Sequence, residues 1–430
     1  MWFALFTRPL RSFEWERFIL YARRVKYLQC VTALESSISR RNDPPPAIWK
    51  MLLVARPSIM THILPNLQEL VWAVPDAIFP YIRLFFPRTL KKLKLEVMAN
   101  GMAGVEERFS RLSLLSNLMD ICPALDDIKL NYQGRRYGLI SEFSESICQW
   151  QFLRALHTHC ITAQALNRIA SFPHLETLSL EEEIHGLGTI PLTTGALPVL
   201  RRLKVIMPLE QATTILIAIT HPVLESIEVT FPECDWSAWE SFFTTVATSS
   251  QTLTKLVVKE LSGDQNREPI TAATFRTLLS LPKISHIVIR PAVRMACIDD
   301  QLIKKISEAW PHLRHLELGD GNISAHSPVT LQGLLSLVRG CPDLETLTLT
   351  LDARMDKFPL HAPPGMGACS PKLTKLRLGH SLIRNPENVA LFLADVFPNL
   401  KTVEAATTGW AAALKFTELY KAVRKWPTHS

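Results

Sequence analysis

The chain contains no Gly-x-x-x-x-Gly-Lys-Ser/Thr loop, no Gly-x-Gly-x-x-Gly turn, no Gly-x-Ser-x-Gly elbow and no His-Glu-x-x-His pair. The common phosphate cradles, dinucleotide turns, serine elbows and zinc-protease helices are therefore missing in their usual form. None of the eight cysteines forms a Cys-x-x-Cys pair, and Cys122 and Cys341 stand in apolar slots just before a proline, which fits reduced core thiols of a cytoplasmic or nuclear protein. No apolar run approaches the length of a membrane span. The opening Trp2 to Phe6 is too short for a signal-peptide core, and Arg8 and Arg11 follow it rather than precede it. The single sequon, Asn322-Ile-Ser324, arises readily by chance.

Basic residues exceed acidic ones by seven, but the first sixty residues alone hold ten of the former and four of the latter. The remainder is nearly neutral. A nucleic-acid groove needs clustered Arg and Lys with stacking aromatics, whereas the charges here alternate in sign: Lys92 and Lys94, then Asp127, Glu176 and Glu181, then Arg202 and Lys204, then Glu225 and Glu228. Neither nucleic acid nor membrane is expected as a partner.

What the chain does have is a line that recurs thirteen times, Leu-x-x-Leu-x-Leu, as in Leu175-Glu-Thr-Leu178-Ser-Leu180 and Leu344-Glu-Thr-Leu347-Thr-Leu349. Its first apolar position falls at Leu67, Leu90, Leu125, Leu153, Leu175, Leu200, Leu224, Leu253, Ile284, Leu313, Leu344, Leu373 and Leu400, a mean spacing of about 28 residues, the period of a leucine-rich repeat. In ten of the thirteen a proline stands two residues before that position, where it opposes helix and marks a helix-to-strand corner. Alternation puts Leu178 and Leu180 on one side of a strand and Thr177, Ser179 and Glu181 on the other, where Ser179 is expected to face solvent. Helical spacing upstream of the corners (Phe109, Leu112, Leu115, Leu118 and Met119; Leu302, Ile303, Ile306 and Trp310; Val389, Phe392, Leu393 and Val396; Trp239, Phe242, Phe243 and Val246) supplies the other half of each unit.

One strand and one helix cannot bury their own apolar faces, so the units stack. The expected fold is an α/β leucine-rich-repeat solenoid, a curved horseshoe with parallel strands on the concave face and helices on the convex face. Twelve steps at roughly 4.8 Å give an inner arc of about 60 Å, long enough for a protein partner. The expected organisation is an N-terminal helical cap with a degenerate first repeat over 1–60, about thirteen repeats over 61–409, and a capping helix over 410–430.

The spacing calls for no catalytic residue, cofactor or metal. His157-Thr-His159 with Glu181 on the next strand has a ligand-like geometry, but solvated polar residues on a sheet face explain it more simply. An enzyme using that face is the most remote reading. His312 and His315 flank Leu313, His174 and His221 sit in comparable corner positions, and these histidines read as structural or surface residues. The expected partner site joins outward strand residues, Arg202, Lys204, Glu228, Lys255, Arg290, Glu317, Lys375 and Arg377, to the loops that follow the strands. Three long insertions, Ile184 to Ala196, Ser262 to Pro269 and Ala353 to Ser370, leave from that end, and solenoid insertions gather on binding faces.

Before the repeats, Trp15, Phe18, Tyr21 and Ala22 share a helix face and Val25 to Cys30 reads as a worn first strand. The run Phe13-Glu-Trp15-Glu-Arg-Phe18-Ile-Leu-Tyr21-Ala-Arg-Arg-Val25-Lys-Tyr-Leu28 resembles the segment that follows the F-box in fungal F-box/leucine-rich-repeat proteins, and the irregular proline-containing repeats resemble theirs over almost the whole chain. The resemblance implies a substrate receptor of a cullin-type ubiquitin ligase, with the repeats holding the substrate and an F-box holding a Skp-type adaptor. No Leu-Pro-x-Glu opening or forty-residue three-helix F-box precedes Trp15, so the adaptor-binding residues have no counterpart here. Adaptor binding is thus expected only with an upstream F-box, and the alternative is a free-standing leucine-rich-repeat scaffold or inhibitor with no ubiquitin role.

Overall fold

Each recurring line folds the same way for a reason visible at its first leucine. All thirteen first-apolar positions are buried. In several repeats the N–H of that residue donates to the carbonyl three residues back, closing a β-turn with proline at its second position: Leu125 to Cys122 at 3.1 Å, Leu313 to Trp310 at 3.1 Å, Leu344 to Cys341 at 3.2 Å and Leu400 to Phe397 at 3.3 Å. The turn-opening residue also ends the preceding helix, since Cys122, Trp310, Cys341 and Phe397 donate to Leu118, Ile306, Leu337 and Leu393. The proline therefore sits at the corner with its φ already suited to the turn.

The computed structural model describes residues 11–31, 46–58, 60–73, 76–98, 113–133, 144–159, 161–184, 187, 192–193, 195–219, 223–263, 271–292, 298–319, 327–354 and 364–424. The chain divides into two compact units, 1–200 and 201–430.

In the first unit the order is α1 (Ser12–Ala22), β1 (Tyr27–Val31), α2 (Pro46–Ala55), β2 (Glu69–Ala73), a 3-10 helix (Asp76–Phe85), β3 (Lys92–Met98), α3 (Leu118–Ile121), β4 (Asp127–Gln133), β5 (Ala155–Thr158), α4 (Ala163–Ile169) and β6 (Thr177–Leu180). Each strand pairs in parallel with the next, from Leu28 opposite Leu70 to Leu156 opposite Leu178. The worn first strand is thus β1, in register with the repeats. The α1 face divides: Trp15 and Ala22 are buried, whereas Phe18 and Tyr21 are exposed. Trp49 of α2 packs edge-on against Trp72 and Phe85 at centroid distances of 5.4 and 5.7 Å.

The second unit runs β7 (Arg202–Ile206), α5 (Leu209–Ala218), β8 (Ser226–Phe231), α6 (Trp236–Ser249), β9 (Lys255–Glu260), α7 (Ala272–Leu278), β10 (His286–Arg290), α8 (Asp300–Ala309), β11 (His315–Leu318), α9 (Leu331–Gly340), β12 (Thr346–Leu349), β13 (Asp352–Ala353), β14 (Lys375–Gly379), β15 (Leu382–Ile383), α10 (Pro386–Val396), β16 (Thr402–Ala405) and α11 (Thr408–Arg424). β7 to β12, β14 and β16 pair consecutively in parallel, and β13 pairs with β15 in a separate two-stranded ladder. Both units are leucine-rich-repeat solenoids built of one strand and, in most repeats, one helix.

At the strand entrances one carbonyl per repeat accepts two N–H groups from the next. Glu225 O takes Thr254 and Lys255 at 2.9 and 3.0 Å, Thr254 O takes Ser285 and His286 at 2.9 and 3.0 Å, and Ser285 O takes Arg314 and His315 at 2.8 and 3.0 Å. This ladder starts each strand at the same residue and so fixes the register. Helices pack on the other side of the strands: Trp239, Phe242, Phe243 and Val246 of α6 are all buried, as are Val389, Phe392, Leu393 and Val396 of α10. α8 and α9 approach so closely that a Cβ on Gly340 would stand 2.6 Å from Ser307 Cβ and 2.7 Å from its carbonyl oxygen. At the end of the chain Trp410 of α11 is fully buried and donates its indole N–H to Ser381 O at 2.9 Å.

One expectation needs correction. Ser179 alternates away from the core as expected, yet it is only 2% exposed. Glu317 and Thr348, at the same position in their repeats, are 3% exposed, and Val257 and Val288 are also buried. Strands about 4.8 Å apart leave the middle outward row covered by side chains on either side, so alternation gives direction but not exposure. No helix among the described residues is long and apolar enough to cross a membrane. Large parts of the three insertions, the Asn322 sequon and the Phe109 to Leu112 stretch lie outside the described residues.

Candidate functional site

Strict register in the second unit turns its outward-facing residues into rows that run across the strands. The first row is Arg202, Ser226, Lys255, His286, His315, Thr346, Lys375 and Thr402. Two residues further along lie Lys204, Glu228, Val257, Val288, Glu317, Thr348, Arg377 and Glu404. A shorter third row holds Ile206, Thr230, Lys259 and Arg290. All eight residues expected at a partner site issue from this one face, although only some of them touch.

Three ion pairs link neighbouring strands. Lys255 pairs with Glu228, Arg290 with Glu317, and Arg377 Nε with Glu404 Oε2 at 2.8 Å. The pairs differ in exposure, and that decides their weight. Arg377 and Glu404 are each about half exposed and contribute little. Glu317 is nearly buried, so removing Arg290 would leave a carboxylate in a poorly solvated place. Glu317 therefore acts as an internal counter-charge, not as the open contact residue that its sequence position suggested.

Beside Glu317 lie two histidines from adjacent strands. The His286 and His315 rings stack with centroids 5.8 Å apart and planes 16° from parallel. His315 Nε2 is 3.8 Å from Glu317 Oε2, and His286 Nδ1 is 3.2 Å from the Ser285 hydroxyl. Burial holds both imidazoles below the usual value, with Lys255 and Arg314 adding to the effect at His286, and His286, Arg290, Arg377 and Lys255 adding to it at His315. Lys259 is likewise pushed down, by burial first and then by Arg290, against an opposing pull from Glu228, with Lys255 and Lys204 adding smaller pushes. Cations thus crowd this part of the face.

Lys259, His286, His315 and Glu404 stand on the same face but were not among the expected contacts. The signal was present: each stands at a repeat position already recognised in neighbouring repeats. In the first unit His157 lies on β5 opposite Ser179, while His159, just past the strand, has Nδ1 3.6 Å from Glu181 and Nε2 3.0 Å from Glu182. Two carboxylates thus lie against one imidazole at the strand exit.

No family model matches the sequence, and no curated protein matches it. Among solved structures, the chain resembles that of the Rad7 and Elc1 complex in yeast, with 12% identity over 93% of this chain and 91% of that chain and a TM-score of 0.47. At that identity residue roles have to be argued from this chain alone.

Proposed function

We propose that the protein is a non-enzymatic interaction module whose partner is another protein, held on the outward strand face of the second unit and the loops that follow those strands. The observation that supports this most is the three-row face itself. It carries charged and polar side chains in strict register, with Arg202, Lys204, Lys375 and Arg377 exposed. Such rows of interspersed charged and polar side chains across neighbouring strands suit recognition of an extended protein surface. A cytoplasmic or nuclear setting, read from the cysteine pattern, and the role of a substrate-recognition part of a cullin-type ubiquitin ligase, implied by the family resemblance of the sequence, belong to this proposal.

The test is affinity purification with mass spectrometry, comparing the native chain with one in which Arg202, Lys204, Lys375 and Arg377 are all changed to Glu. Loss of specific partners from the variant is expected. An unchanged set would overturn the face assignment. A pull-down with a Skp-type adaptor addresses the ligase role: the 430 residues should fail to capture it, and binding gained on adding an upstream F-box would support the receptor reading over a free-standing scaffold.

A further inference from the structure

Resting on that reading, we propose that the partner presents an acidic polypeptide segment, laid in extended form across the strands from β7 to β14. The three rows carry seven Lys and Arg side chains against three Glu, so the face is net basic although its charges are interspersed. Each Glu already has a cation, and no carboxylate of a described residue lies within ion-pair distance of Lys204, Lys259 or Lys375. Lys259 stands directly opposite Arg290 in the sheet register. Like charges opposite one another on adjacent strands destabilise a sheet, and a bound anion relieves that repulsion. Lys204 and Lys259 flank Glu228 at one end of the face and Lys375 lies at the other, so two basic regions are separated by the less charged β11 and β12.

Dimensions fit a peptide. Six strand steps separate β7 from β14, about 29 Å at roughly 4.8 Å each. An extended chain covers that in about nine residues. A nucleic acid fits less well. No Phe, Tyr or Trp occupies any of the three rows to stack a base. Complementary charge at these positions would govern capture and orientation more than raw affinity.

Fluorescence anisotropy on the full chain at low salt tests the idea with three labelled probes: a twelve-residue Glu/Gly peptide, its Lys/Gly counterpart, and oligothymidylate of equal charge to the first. The Glu/Gly peptide should bind and the Lys/Gly peptide should not. Lys204→Glu, Lys259→Glu and Lys375→Glu together should weaken the acidic probe at least tenfold while the variant still unfolds cooperatively, since no described ion pair is lost. No binding of the acidic peptide, or equal binding by the triple variant, would overturn the proposal. So would oligothymidylate binding more tightly and losing more in that variant. Ser226→Trp, which adds bulk to the same face without charge, separates the two levels. If it abolishes recovery of a cellular partner while the acidic probe fails, the face binds something other than an acidic segment; if neither responds, the face assignment itself is wrong.

Discussion

Gly333 lies near the start of α9, where a glycine normally weakens a helix, and Gly333→Ala would be expected to stabilise an exposed helix by about 1 kcal/mol. Here the sign should reverse. A Cβ at Gly333 would overlap Asp300 Oδ1 and stand 3.0 Å from Asp300 Cγ and 3.2 Å from Val329 Cγ1. Asp300 belongs to the preceding helix, and its carboxylate reaches across to the first turn of α9, accepting from Thr330 N at 2.8 Å and Thr330 Oγ1 at 2.6 Å. Displacing the carboxylate removes hydrogen bonds to a charged group, a loss of about 1.5–3 kcal/mol. After the helix-propensity gain, Gly333→Ala should destabilise by about 0.5–2 kcal/mol. In an Asp300→Ala background the obstacle is gone, so the same substitution should become neutral or stabilising by up to about 1 kcal/mol. Urea denaturation of the four proteins of this cycle, followed by circular dichroism, reads the coupling directly. A Gly333→Ala effect of the same sign and size in both backgrounds would refute the inter-repeat clasp.

Three further outcomes follow from the core and the face. Leu178 is fully buried beside Leu156 of the preceding strand, so Leu178→Asp should cost several kcal/mol, whereas Thr177→Asp, one residue earlier on the half-buried outward side, should cost under about 1 kcal/mol; equal loss of thermal stability would break the register. His286 and His315 have folded-state values below the ordinary 6.5, so the unfolded chain takes up protons first; stability present above 6.5 should fall as the pH drops through the folded values, and a His286→Gln, His315→Gln variant should show a flatter melt-against-pH profile between pH 7 and 5. A native protein with the same acid sensitivity as the double variant would show that the stacked pair is not its source. Burial pushes the Cys122 and Cys341 thiols up to about 12, so both should stay unmodified by a maleimide at pH 8 in the folded protein and react once it is denatured, as read by peptide mass spectrometry; rapid native labelling of either would contradict the core placement.

The strand positions were legible because a single constraint sets them. The first leucine must turn the chain out of the helix, enter the core and present the next residues to one carbonyl of the preceding repeat, and Leu, Pro and spacing record all three demands. The closeness of α8 and α9 was not legible in the same way. Gly333 and Gly340 look like weak points in a helix until Asp300 and Ser307 of the previous repeat are seen against them. Ser179 failed for a related reason: its direction follows from alternation, but its burial depends on the side chains of neighbouring strands.

The eight residues expected at a partner site were legible as one strand face but not as an electrostatic pattern. Reading each repeat alone shows mixed charge, and mixed charge argued for a neutral surface. Register changes the outcome because it decides which charges meet. Glu228, Glu317 and Glu404 each lie against a cation of an adjacent strand and are neutralised there, while Lys259 is brought opposite Arg290. The order of residues within a repeat cannot show this, since the pairs are 27 residues or more apart in the chain, as between Lys255 and Glu228 or Arg377 and Glu404. Once neighbouring repeats are aligned by their first leucine, a surface of alternating signs resolves into cross-strand ion pairs and a residual basic field, and that residual field is what the proposed acidic segment would meet.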